Sequence, residues 1–267
     1  MSSKLKLSAL QHGLKTRLMG KTVLFLREVN STNLWAKRLA RSGAQEGTIV
    51  VAETQSSGRG RLDRPWYSPV GGLWFSVVLR PKIHSSQVSQ LTVVTALSVI
   101  QTLRDLYGLE AEAKWPNDVL VNGRKICGIL GEANSEANKV SFVIMGIGLN
   151  ANFEVDRGLP ESIAVSATSL ETEIGHKVGL EQLLITLLKR FEADYDIYAH
   201  RGFSHIVAKW KRHANFLGRE VDVVDQRRTF RGVAEDIDAN GALAVRLKDG
   251  SLRSFLAPDV SLSPKRG

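Results

Sequence analysis

Three arginines, two glycines and a tryptophan share the stretch SSGRGRLDRPW, Ser56 to Trp66. Arg59, Arg61 and Arg64 carry planar guanidinium forks that match phosphate or carboxylate oxygens, and the glycines free the backbone to fold over a ligand. The stretch is no Walker A loop, since no Gly-Lys-Ser/Thr step follows and no helical pattern begins there. It is no dinucleotide fingerprint either, because its glycines do not open a strand-helix-strand unit. On this loop alone, an anion cradle and a solvated basic turn weigh the same.

Polar residues elsewhere offer complementary chemistry. KWPND, Lys114 to Asp118, is followed by Lys125 in GRKICGIL, with an Asn122-Gly123 turn between them. Lys114, Asn117, Asp118 and Lys125 therefore stand on either side of a hairpin and can converge on one region of a sheet face. For Trp115 and Pro116, core packing and a strand break explain as much as ligand contact does. VNSTN, Val29 to Asn33, gathers small hydrogen-bonding side chains at a helix start, where an N-cap role accounts for Ser31. In GIGLN, Gly146 to Asn150, glycines would let backbone lie close to a flat ligand and Asn150 could read an amide-like or base edge. Strand-end glycines more often mark bulges.

Other chemistries are disfavoured. Cys127 is the only cysteine, which excludes an intramolecular disulfide and a multi-cysteine metal site. The one close histidine pair, His200 and His205, is spaced i, i+5 and misses a common helix face, which argues against zinc. No Ser/His/Asp or Cys/His arrangement is evident. A net charge of +9 implies attraction to polyanions: nucleic acid, nucleotide phosphates or an acidic partner. With 43% hydrophobic and 24% charged residues the composition is globular. No apolar run reaches the roughly 18 residues of a membrane span, and the N-terminus lacks a signal-peptide h-region, so a soluble, cytoplasmic protein is expected.

The elements that must position these groups follow from periodicity. Residues 31–43 read as a short helix ending at Gly43, and 47–54 as a strand that leads into the arginine loop. LWFSVVLRP is a second strand. Residues 86–107 place Val88, Leu91, Val94, Leu97, Ile100 and Leu103 at helical spacing and close at Gly108, as a central buried helix would. AEAKWPNDVLV, RKICGILGEA and KVSFVIMGIGLN are three adjacent strands with local connections, which predicts an antiparallel or mixed sheet. Residues 151–179 carry no clear pattern, and helices resume at 180–199 and about 203–216. From Gly218 onward, short strands between charged or glycine turns read as a small β barrel, placing a boundary near 215.

In order, VNSTN, Gln55 with GRGRLDRPW, KWPNDVLVNGRKICGIL, GIGLN and a C-terminal β module with GALAVRLKDG resemble a biotin protein ligase, over almost the whole chain. The resemblance implies an α+β fold. Residues 1–215 would form a mixed sheet flanked by helices, as in class II aminoacyl-tRNA synthetases, and residues 216–267 an SH3-like barrel. It implies that biotin and ATP, with Mg²⁺, give biotinyl-5′-AMP, and that biotin then passes to a lysine of a biotin carboxyl carrier protein or domain of acetyl-CoA carboxylase or a related enzyme. By the same resemblance Ser31, Thr32, Asn33 and Gln55 line the biotin pocket, and Arg59, Gly60 and Arg61 contact biotin and the adenylate phosphate. Arg64, Trp66, Asn117 and Asn150 lie on the nucleotide side, Trp66 as a wall near adenine. Lys125 sits by the biotin carboxylate and phosphate, Lys114 assists phosphate binding, and Asp118 accepts from the ureido group.

Two departures stand out. Family members often have glycine at the position of Asp63, so this loop has one hinge fewer. Only about 20 residues precede TVLFLREV, too few for the helix-turn-helix of the regulatory members, so a monofunctional ligase without specific DNA binding is expected. A lipoate protein ligase is the close rival, and a nucleic-acid binder built on the C-terminal barrel is the distant one. Sheet edges leave a homodimer possible.

Overall fold

The computed structural model describes residues 5, 10, 12–225, 228–256 and 259–262. Residues 1–4, 6–9 and 11 of the N-terminal segment read for a signal peptide, and residues 257–258 inside SLRSFLAPDVSL, lie outside the described residues. The chain opens with strand β1 (Val23–Val29), helix α1 (Thr32–Arg41) and strand β2 (Ile49–Gln55), which pairs parallel to β1. Strand β3 (Leu73–Leu79), helix α2 (Val88–Tyr107), then strands β4 (Ala111–Lys114), β5 (Asp118–Val121), β6 (Arg124–Glu136) and β7 (Lys139–Leu149) follow. The sheet order is β1-β2-β3-β7-β6-β5-β4, and every pair except β1-β2 is antiparallel. It is the mixed sheet expected from the local connections.

Two expectations change in detail. AEAKWPNDVLV is not one strand: KWPND is itself a hairpin turn, with Lys114 paired to Asp118 across a cis Trp115–Pro116 bond. The 151–179 segment holds three short helices, α3 (Val155–Gly158), α4 (Glu161–Ala164) and α5 (Leu170–Ile174). The Asn122-Gly123 turn has positive φ at both residues (51° and 74°), as a type I′ turn requires.

All seven residues of β3 are buried, so the sheet is covered on both faces. On one face Phe75, Val77, Met145 and Ile147 pack against α2 and α6 (Leu180–Arg201), forming the main core. Each such fully buried side chain contributes about 1.5–3 kcal/mol. On the other face α1 presses Ala36 and Ala40 onto Val50, Val78 and Ile144. At the far end of that face lies a third cluster, with Trp74, Phe153 and Ala167. Between these two patches the sheet face carries polar and glycine residues.

Helix α7 (Phe203–Lys211), shorter than the expected 203–216, precedes an antiparallel sheet of β8 (Glu220–Asp225), β9 (Arg228–Ile237), β10 (Leu243–Leu247), β11 (Leu252–Phe255) and β12 (Asp259–Leu262), ordered β11-β10-β9-β8-β12. Its β9-β10 turn docks on the first sheet's helices. Trp115 Nε1 donates to Gly241 O (3.1 Å), Ser89 Oγ to Asn240 O and Gln90 Nε2 to Ala239 O (both 2.8 Å), and Lys211 pairs with Asp236. Among the described residues no helix is long and apolar enough to cross a membrane.

Candidate active site

Strand register assembles the site in rows. Side chains alternate across a sheet, so Trp74 and Ser76 of β3 face away from the main core. Trp74 stands beside Gly148 and Gly128, and Ser76 beside Gly146 and Leu130, each across β7 and β6. The glycines make room for the protein's own side chains. A Cβ at Gly148 would come within 2.5 Å of Trp66 Nε1, and one at Gly128 within 2.8 Å of Trp66 Cζ3. A Cβ at Gly146 would fall 2.2 Å from Asn33 Oδ1. The flat group expected over GIGLN is thus Trp66 itself, which meets Trp74 edge-on at 6.2 Å. Its buried Nε1 has no hydrogen-bond partner among the described residues.

Above these rows opens a cavity of about 540 Å³, within the usual size of a small-molecule site. One end is neutral and polar. Gln55 Oε1 accepts from Thr32 N (2.8 Å) and Thr32 Oγ1 (3.1 Å), and its Nε2 donates to Ser68 Oγ (2.8 Å). Ser76 Oγ lies 2.7 Å from Thr32 Oγ1 and 2.6 Å from Asn33 Oδ1, and Asn33 Nδ2 donates to Glu132 Oε2 (2.7 Å). Ser31, Thr32 and Asn33 are all buried. Ser31 occupies the N-cap position of α1 with an extended backbone, but its side chain makes no capping bond, so the expected role does not explain the hydroxyl.

The other end is charged. Lys125 Nζ forms an ion pair with Asp118 Oδ1 (2.6 Å) and sits 5.0 Å from the Trp66 ring centroid, a cation-π distance. Asn117 is pinned to β6 by Nδ2 donating to Ile129 O (2.8 Å), and its Oδ1 accepts from Arg61 Nη1 (3.3 Å). Arg59, Gly60, Arg64 and Lys114 complete this wall. Asn150 Nδ2 donates to Thr168 O (2.8 Å), so its Oδ1 is the atom left to meet a ligand. Every residue nominated from sequence lines this one cavity.

The arginine loop holds an unusual backbone. Leu62 and Asp63 both have φ of 55°, in the left-handed region where Asp is better tolerated than most residues. The Asp63 carboxylate lies 3.8 Å from Arg59 Nη1. Buried Cys127 lies behind the wall, and burial pushes its thiol well above the usual range, which suits a spacer and not a nucleophile.

Sequence reasoning missed Ser68, Ser76 and Glu132, and the second sheet's Val224 and Val260 in the cavity wall. Ser76 left a signal: it is the lone polar residue in the apolar run LWFSVVL. The valines left none, because their place depends on docking between sheets.

Against this geometry the comparisons with known proteins are decisive. Residues 25–150 match the biotin/lipoate A/B protein ligase family, and 216–263 match the biotin protein ligase C-terminal domain. The bifunctional ligase/repressor BirA of Bacillus spizizenii is 37% identical, covering 97% of this chain and 79% of its own length. The chain belongs to the biotin protein ligase family. The biotin–[acetyl-CoA-carboxylase] ligase of Paracoccus denitrificans is 36% identical over 83% of this chain and 92% of its own. The Aquifex aeolicus biotin protein ligase, solved in complex with biotin and ATP, superposes with a TM-score of 0.78 at 30% identity, covering 91% of this chain and all of that one.

For a biotin protein ligase the charge balance is apt. Arg59, Arg61, Arg64, Lys114 and Lys125 face the cavity against the carboxylate of Asp118. Such a cleft concentrates anions at its mouth, while the groups at the other end are neutral and paired with one another.

Proposed function

We propose that this ligase joins biotin to ATP and passes biotin to a lysine of a biotin carboxyl carrier domain of acetyl-CoA carboxylase or a related biotin enzyme. The observation that carries the reading is the division of one cavity into a neutral hydrogen-bonding end at Thr32, Asn33 and Gln55 and a cationic end at Arg59, Arg61, Lys114 and Lys125. The first suits a ureido ring, whose buried N–H and C=O groups each need a partner. The second suits a carboxylate meeting a triphosphate.

In the first step a biotin carboxylate oxygen bonds to the α-phosphorus, the bond from that phosphorus to the bridging oxygen breaks, and pyrophosphate leaves. Two anions must approach, so the barrier falls with positive charge and alignment, which the arginines and lysines supply without an enzyme nucleophile. In the second step the neutral lysine amine of the carrier attacks the acyl carbon, AMP leaves, and the amine gives up a proton. Closure of the arginine loop would shield the mixed anhydride from water until the amine arrives.

Mg²⁺ would supply further charge neutralisation. Among the described residues Asp118 is the only carboxylate lining the cavity, and it is paired with Lys125, a donor set that fits an ion held chiefly by phosphate oxygens and water. Trp66 would wall the nucleotide side, with Arg64, Asn117 and Asn150 near it; Ser31 and Gly60 would border biotin, and Asp118, paired with Lys125 at the charged end, would orient that lysine in place of the ureido contact that the resemblance implied. Calorimetric titration tests the reading. Biotin is expected to bind alone and to heat further when ATP and Mg²⁺ are added; no biotin binding under either condition would overturn it.

A further inference from the structure

Glu132 does not line the cavity, yet it touches a residue that does. Its Oε2 accepts from Asn33 Nδ2 at 2.7 Å, and Leu130 O accepts from the same nitrogen at 3.3 Å. On the opposite side of the Asn33 amide, Ser76 Oγ stands 2.6 Å from Oδ1 and 2.7 Å from Thr32 Oγ1. Ser76 is fully buried, Asn33 and Thr32 nearly so. A serine hydroxyl has one proton, a carboxylate only accepts, and an amide has one end of each kind.

We propose that Glu132 is a positioning residue that fixes the donor–acceptor direction of the Asn33–Ser76–Thr32 chain, and through it the way Thr32 meets the ligand. This rests on reading the neutral end of the cavity as a biotin site. Because Glu132 accepts, Asn33 must turn Nδ2 toward it and Oδ1 toward Ser76. Ser76 must then donate to Asn33 Oδ1, sharing that proton with Thr32 Oγ1, while the Thr32 proton goes to Gln55 Oε1 at 3.1 Å. The Thr32 hydroxyl is left with a lone pair for the cavity, an acceptor for a ligand N–H. Gln55 stands next, its Oε1 taking Thr32 N–H and its Nε2 giving to Ser68, whose Oγ lies 3.4 Å from Trp66 O at the stem of the arginine loop. The carboxylate on β6 thereby sets the polarity of the chain as far as Thr32, where it meets the Gln55 amide that Thr32 N–H orients.

A swap of the pair tests this. In N33D two carboxylates face each other, with Leu130 O adding a third acceptor. In N33D/E132Q, the amide introduced on β6 donates to the carboxylate introduced on α1, whose other oxygen still accepts from Ser76, so the clash is removed while the direction beyond that point is kept. Biotin Kd is expected to rise about 30-fold or more in N33D, from an unpaired buried polar contact. The double variant should recover at least about tenfold of that, short of full recovery because Leu130 O remains. E132Q alone, whose amide can turn either end, should weaken biotin by about 3- to 10-fold with KM for ATP unchanged. Thermal denaturation without ligand should rank wild type above N33D/E132Q and that above N33D. A double variant no more stable and no tighter for biotin than N33D would overturn the proposal. A wild-type protein that ignores biotin would overturn the function instead, while the ligand-free ranking would still judge the polarity. Should N33D fail to fold, a folded double variant supports the proposal and an unfolded one overturns it.

Discussion

Removing the cation at Lys125 tests how the charged end works. Lys125 pairs with Asp118 at 2.6 Å, and Asp118 Oδ1 has no other partner among the described residues. Lys125→Met keeps the stem length and deletes the charge, so an entering carboxylate or phosphate loses one attraction and gains an uncompensated Asp118. A unit charge about 4 Å away is worth roughly 4 kcal/mol at an effective dielectric of about 20. The Lys125 side chain is 32% exposed and Asp118 17%, so solvent screening reduces this. We take about 2–3 kcal/mol, which corresponds to a roughly 30- to 150-fold loss in kcat/KM for adenylate formation. Pyrophosphate release from biotin and ATP, without carrier, reads that step directly. Adding Asp118→Asn to Lys125→Met should recover part of the loss, because the stranded carboxylate goes with it. A Lys125→Met enzyme within about threefold of wild type would refute the electrostatic role.

Three further outcomes are expected. Gly148→Ala places a methyl 2.5 Å from Trp66 Nε1 and must lift the ring, so KM for ATP should rise about 5- to 100-fold while biotin affinity, read by calorimetry, moves far less. Trp115→Phe removes the bond to Gly241 O that helps dock the second sheet, and urea denaturation should show a loss of about 1–2 kcal/mol. Asp194, buried under α2 where Ser98 Oγ donates to it at 2.8 Å, has its pKa raised above 3.8 by burial. A folded-state pKa raised above the unfolded one means that its contribution is full below about pH 4 and is lost as pH climbs through the folded value. Asp194→Asn should therefore flatten the decline of Tm with rising pH above 4, and an unchanged slope would contradict that assignment.

What can be read from residues alone is chemistry carried by local spacing. The arginine loop, the GRK piece and the type I′ turn need no tertiary knowledge, because turn residues and strand lengths report their own geometry. What escapes depends on register. Leu130 and Glu132 look ordinary in GILGEA until β6 pairs with β7 and sets them beside Gly146 and Ile144. The glycines of GIGLN invite a ligand, yet the space above them is taken by Asn33 and Trp66, which arrive from segments more than 80 residues away in sequence. AEAKWPNDVLV reads as one strand since Trp115, Val119 and Val121 favour one, but the Pro-Asn step folds it back into two. Val224 and Val260 enter the wall only through docking of the second sheet, for which single-strand patterns hold no information.

The central claim is group transfer from biotin to a protein lysine with ATP as the driving substrate. It is tested most directly by incubating the purified protein with biotin, ATP, Mg²⁺ and an unmodified biotin carboxyl carrier domain, then weighing the carrier by intact-mass spectrometry. The expected product is one biotinyl group on one carrier lysine, formed only when both biotin and ATP are present. An unmodified carrier, or one that gains lipoate in preference to biotin when both are supplied, would contradict it.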